Sequence, residues 1–209
     1  MFRTFTTVVL SMSLLLVADY ASSTKMKSTW KEPSATASTL QFKKVLVLVT
    51  IKQSLTRKVA EDKAVKIIES GGATHAVPSY TIIADEELND MEKARSKIAD
   101  MGFDGVIVMR SAGSKDEKKY DSEADNEWTF YNEFWGAYGA GWGGVYNATN
   151  TNDLYVLIET MFYSLKDEKL IWAGITETRN PKNPAKVVAE IAEETTKYLQ
   201  KQGLLAKKK

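Results

Sequence analysis

The sequence predicts an α/β domain with a single mixed sheet of about four to five strands and helices packed on it. Three observations lead there. Residues 43–51 and 105–109 are continuous runs of β-branched and other apolar residues, the pattern of strands buried on both faces. Between them lie stretches with apolar residues at helical spacing, each closed by glycine. Late in the chain, two long apolar segments flank the turn Lys166, Asp167, Glu168, Lys169, which reads as a hairpin.

The elements follow in order. Residues 43–51 give the first strand. Residues 54–70 form a helix with Ala60, Ala64, Ile67 and Ile68 on one face, stopped by Gly71 and Gly72. Residues 73–83 read as a second strand. Pro78 has no N–H to give a ladder, so this strand belongs at an edge or a bulge. Asp85, Glu86, Glu87 and Asp90 suit the start of a second helix, where negative charge meets the helix dipole favourably. Met91, Ala94, Ile98 and Met101 carry that helix to Gly102. The strand 105–109 completes a strand, helix, strand, helix, strand series, as in a sheet covered by helices. A long insertion rich in aromatics and glycine precedes the hairpin of 153–165 and 170–178. After the break at Asn180, Pro181, Lys182, Asn183 and Pro184, a last helix spans about 185–202. It turns Val187, Val188, Ile191, Thr195, Tyr198 and Leu199 inward, and Gly203 ends it.

The first 23 residues read as an export signal. Arg3 supplies the basic start, the stretch from Val8 to Ala18 is apolar apart from two serines, and Ala21, Ser22 and Ser23 are small. The apolar stretch falls short of the about 20 residues of a spanning helix. Residues 24–40, rich in Ser, Thr, Ala and Lys, read as a tether or an extended first segment, with Trp30 packing onto the domain. The domain itself is expected over 41–205. The protein is therefore expected outside the cytoplasm, in the periplasm or on the periplasmic face of the outer membrane, with membrane association through the leader only.

Composition narrows the chemistry. The 28 basic and 27 acidic side chains nearly cancel, so there is no basic excess to meet nucleic acid. With no cysteine there are no disulfides and no thiolate metal site. The single histidine, His75, reads as a plain strand residue, because a zinc site built around it would need an atypical set of carboxylates. No Gly-x-Ser-x-Gly elbow appears, and Gly71-Gly72 follows a helix where a phosphate loop would precede one. No cofactor is expected.

Two segments could carry a site. Asp121, Glu123, Asp125 and Glu127 alternate, so an extended chain places them on one face, where a hard cation could be held for metal-assisted hydrolysis. A solvated loop is the preferred reading there. Residues 128–146 hold Trp128, Phe130, Tyr131, Phe134, Trp135, Tyr138, Trp142 and Tyr146 among five glycines. These rings either cap the sheet or form a docking surface for an envelope protein or a glycan, since aromatic side chains join large contact area to polar tips. Trp135, Tyr138 and Trp142 are the expected contact residues. The preferred function is non-enzymatic binding; the metal-assisted hydrolase and a structural or stress-tolerance role are the alternatives.

Four short motifs carry a family resemblance. Ser28, Trp30 and Pro33 form a Ser-x-Trp-x-x-Pro element, and Val77, Pro78, Ser79 and Tyr80 a Val-Pro-Ser-Tyr element. Gly102, Asp104, Gly105, Val106 and Val108 match Gly-x-Asp-Gly-Val-x-Val, and Lys169, Leu170, Trp172 and Gly174 match Lys-Leu-x-Trp-x-Gly. In this order the chain resembles a group of uncharacterised bacterial envelope lipoproteins over nearly all of its mature length. It is similar in layout to the small mixed α/β domains of envelope accessory lipoproteins, including those that activate peptidoglycan synthases. The resemblance implies envelope location and fold and no catalytic residues. In the leader, Tyr20 stands where a lipoprotein has its lipid-bearing cysteine, and Asp19 where a glycine would be. The chain thus looks like a descendant of a lipoprotein that cannot be lipidated by that route.

Overall fold

A computed structural model describes residues 23–35, 42–51, 54–72, 74–84, 86–87, 91–112, 145–147, 154–181 and 183–205. The elements are β1 (Ser23–Lys31), β2 (Lys44–Val49), α1 (Ser54–Gly71), β3 (His75–Pro78), α2 (Met91–Ala99), β4 (Gly105–Ser111), β5 (Val145–Asn147), β6 (Leu154–Ser164), β7 (Lys169–Arg179) and α3 (Pro184–Lys201). They build one mixed sheet in the order β1-β7-β6-β4-β2-β3, with the short β5 added beside β6. The expected architecture is present, with a few more strands than anticipated.

β2 is an interior strand, next to the outermost β3, and parallel to both neighbours, β3 and β4. Its residues alternate between two cores. Val45, Val47 and Val49 join Ile107, Met109, Ile158, Phe162 and Trp172 under α1 and α3. Leu46 and Leu48 join Val106, Val108, Met161 and Tyr163 under α2, which supplies Ala94 and Ile98. A continuous apolar run is therefore what a strand in this place needs. On α1, Ala60, Ala64 and Ile68 are buried and Ile67 is partly buried against the same core. α3 begins at Pro184, and the Asn183 side chain accepts the Lys186 backbone N–H at 2.9 Å, closing one orphan donor of the first turn. All the α3 residues expected to face inward are buried or half-buried.

Two expectations need correction, and one open alternative is resolved in part: within the segment read as a tether or an extended first segment, residues 23–31 are extended and form β1, antiparallel to β7, with Ser23 opposite Arg179 and Lys31 opposite Trp172. Local composition hid the strand because one of its edges and much of one face are exposed, so its residues are polar. The second strand is shorter than 73–83. It ends at Pro78, and a 3-10 turn over Ser79–Thr81 follows, on the outermost strand of the sheet, where a residue without an N–H is tolerated. The second helix is also shorter than expected. Before it, the Glu87 carboxylate accepts the Ala84 N–H at 3.1 Å and meets Lys93 at 2.9 Å and Lys97 at 2.5 Å. Those ammonium groups, together with the Ala84 N–H, hold its carboxyl down at about 2.

The Gly-x-Asp-Gly motif has a mechanical reading. Gly102 has φ of 67°, a left-handed value that suits glycine after a helix. Asp104 Oδ2 accepts the backbone N–H groups of Lys43 (2.7 Å) and Lys44 (2.8 Å), fixing the start of β2. At Gly105 a Cβ would lie 2.7 Å from the Tyr163 carbonyl oxygen and 2.9 Å from the Phe42 ring. Gly105→Ala should therefore lower stability by about 1–3 kcal/mol, because backbone is what it meets. Gly102→Ala, which has open space but the wrong φ, should cost less. Urea unfolding of both variants checks the ranking.

Candidate functional site

α1 places two charged side chains on its inward face. Arg57 and Glu61 stand one turn apart, and both are essentially sealed from solvent, at 3% and 0% side-chain exposure. They fall there because positions 57, 60, 61, 64 and 68 share one side of a helix. That spacing was visible in the sequence. The residue types argued the other way, since Arg and Glu are almost never fully buried unless paired.

Glu61 sits at the carboxyl end of β2. Its Oε1 accepts the Val49 N–H at 3.2 Å and the Ser79 hydroxyl at 2.8 Å; its Oε2 accepts the Tyr80 N–H at 3.0 Å. Arg57 Nε lies 3.8 Å from Oε1. Burial pushes the Glu61 carboxyl up to about 7, against the pull of Ser79, Tyr80, Arg57 and Val49. Outside this cluster, the Tyr80 phenol donates to Asp62 Oδ1 at 2.7 Å, which raises the phenol above its ordinary value, and Lys58 stands 5.8 Å from the ring. The Val-Pro-Ser-Tyr element is thus the counterpart of Glu61. In open α/β sheets, ligand crevices form at the carboxyl ends of strands where the order reverses. Here that place is β2 and β4, whose ends are joined by Thr50 N–H donating to the Met109 carbonyl at 3.0 Å.

A second charged group lies toward the same end on the other face of the sheet. Arg110 and Glu159 are directly opposed across β4 and β6, with Nε 2.6 Å from Oε2, and Glu159 is fully buried. Diagonally across on β7, Glu177 lies 3.6 Å from both Lys25 and Lys27. Lys25 and Lys27 are two residues apart, so they share a face of β1 and both reach one carboxylate; the register of β1 on β7 shifts between Met26 and Ser28.

The residues expected to form the site fare differently. Trp135, Tyr138 and Trp142 lie outside the described residues, as do Asp121, Glu123, Asp125 and Glu127. His75 opens β3, and its exposed ring holds Nδ1 2.7 Å from Glu69 Oε1, the plain strand position expected of it. Trp30 packs against the core under α2, also as expected. Among the described residues no group of three or more His, Asp or Glu side chains could hold a metal, and no helix is long and apolar enough to cross a membrane.

Chemically, the Glu61 cluster organises backbone. Its carboxylate faces β2 and the turn after β3, enclosed among donors. The Arg110–Glu159 pair joins two strands in the same way. Arg110→Ala removes the cation 2.6 Å from a fully buried carboxylate and should cost up to about 3–5 kcal/mol in chemical denaturation, whereas replacing both partners with apolar side chains should cost less than either single change.

No family model and no curated protein matches the chain. Among solved structures, the PelC dodecamer of Paraburkholderia phytofirmans is similar over 90% of this chain and 100% of that one, at 12% identity and a TM-score of 0.43. A variant of the same dodecamer gives 13% identity and 0.42. Lipoprotein GNA1162 of Neisseria meningitidis is similar over 76% of this chain and 99% of its own, at 12% identity and 0.35.

Proposed function

We propose that this is an exported cell-envelope protein that acts by binding and carries out no reaction of its own. Its partner is another envelope component, a protein or a glycan, met by the rings of Trp135, Tyr138 and Trp142.

The observation that carries the reading is where the sheet begins. The leader is expected to end at about residue 23, and β1 starts at Ser23, already paired with β7. The expected leader thus ends where the paired strand starts. A cut after Ala18 leaves β1 whole. The body needs no disulfide for its stability, because Trp172, Tyr163 and Phe162 are all fully buried, each worth about 1.5–3 kcal/mol or more in transfer energy. Balanced charge leaves no footprint for nucleic acid.

Two measurements test this. The protein should fractionate with the periplasm or the periplasmic face of the outer membrane, shorter than the full chain by a leader. Cytosolic protein retaining its first methionine would overturn the reading. Crosslinking in intact cells followed by pull-down should capture an envelope partner, and Trp135→Ala with Trp142→Ala should weaken capture roughly tenfold or more while leaving Tm nearly unchanged. Major unfolding in that variant would assign the rings to the core. A saturable rise in Tm with calcium or magnesium, abolished by Asp121→Ala and Asp125→Ala, would favour the metal-assisted hydrolase.

A further inference from the structure

The donors around Glu61 are not equivalent. The N–H groups of Val49 and Tyr80 and the guanidinium of Arg57 can only donate. The Ser79 hydroxyl alone can also accept. A proton on Oε1 can therefore be received by Ser79 once its hydroxyl turns round, so the closed cluster can hold the neutral carboxyl without moving its heavy atoms. An ionised carboxylate sealed in this way loses hydration that three hydrogen bonds and a guanidinium 3.8 Å away replace only in part.

Relief for the ionised group is close by. Ser79 and Tyr80 belong to a single 3-10 turn after the outermost strand, and Thr81 beside them is exposed. The turn is closed by the Ser79 carbonyl, which accepts the N–H groups of Ile82 at 3.0 Å and Ile83 at 2.9 Å. Moving it uncovers the carboxylate without disturbing β2 between its two neighbours. Among the described residues, the charged groups around the cluster are Arg57, Lys58 and Asp62 of α1, with the Tyr80 phenol on the turn; β2 contributes only backbone.

We propose that Glu61 is a proton-held clasp: with its carboxyl neutral, the Ser79–Thr81 turn stays shut over the carboxyl end of β2, and on ionisation the turn opens to let water in. The clasp is a property of the folded domain and stands independently of where the protein resides. It makes the surface formed by Tyr80 and Thr81 responsive to pH.

The direction follows from linkage. The carboxyl titrates at about 7 when closed and near its ordinary 4.5 when open. The closed form is therefore fully favoured below pH 4.5 and loses that advantage as pH rises toward 7. Amide exchange of Ile82 and Ile83 in the full chain, corrected for intrinsic rates, should lose protection by about tenfold per pH unit over most of this window and level off above it. Glu61→Gln should flatten the response. In wild-type protein the Glu61 side-chain carboxyl carbon, followed by NMR, should titrate near 7, and Ser79→Ala, which removes a donor to the carboxylate, should move that midpoint upward. A wild-type midpoint below 5, protection without excess pH dependence, a Ser79→Ala midpoint that stays or falls, or an unchanged response in Glu61→Gln would each overturn the clasp. If Glu61→Gln fails to fold, the wild-type carboxyl titration decides.

Discussion

A strand buried on both faces has to find partners for every backbone group inside the sheet, and β2 is that strand. Its edges are satisfied by β3 and β4, but a ladder leaves the strand ends open. Both ends are met by side-chain carboxylates. Asp104 takes the N–H groups of Lys43 and Lys44 at the start. Glu61 takes the N–H of Val49 at the finish. One comes from the loop before β4, the other from α1, so a sheet neighbour and the helix that follows β2 are both pinned to it. The two pins differ in burial: Asp104 is half-buried, whereas Glu61 is sealed within the core.

The recurrent motifs fall on places with few structural alternatives. Asp104 and Gly105 anchor β2 and let β4 approach β6. Ser79 and Tyr80 close on Glu61. Trp172 folds over Gly174, where a Cβ would lie 2.4 Å from the indole, and its ring stacks at a tilt 5.9 Å from Tyr198 of α3. Trp30 reaches the other core from β1. Each is a point where two elements meet, and at Gly105 and Gly174 there is no room for a side chain. This explains why such short motifs point to a fold and say little about a reaction.

Elements whose partners are local in sequence or whose burial is complete were legible. β2, α1, α3 and the β6–β7 hairpin announce themselves through periodicity and turn residues. β1 did not, because its strand character comes from β7, about 150 residues later: the Thr24 and Thr178 hydroxyls that meet across the pair are 154 positions apart. Nor did the interior charges. Arg57 and Glu61 have the spacing of core residues and the chemistry of surface ones, and only tertiary packing settles such a conflict. The aromatic segment stood out for its composition, yet its chosen residues Trp135, Tyr138 and Trp142 fall outside the described region. The site the structure does show was reached through neither aromatics nor histidine.

Long-range pairing also has a kinetic consequence. β1 is the first element made and one of the last that can be placed, since β7 must be present before it has a neighbour. Thr24 further donates to Glu190 of α3, 166 positions away. Contacts of such separation form late because loop closure must precede them. Until then β1 is an exposed extended segment, the kind of edge that pairs with the wrong chain. Lys25, Lys27 and Lys31 punctuate it with charge; in the folded sheet Lys25 and Lys27 are exposed and Lys31 is half-buried. These lysines thus disfavour pairing with another copy while the chain is incomplete. Once β7 arrives, Glu177 gives Lys25 and Lys27 a local counter-charge. The same side chains guard the edge before closure and help to hold it afterwards.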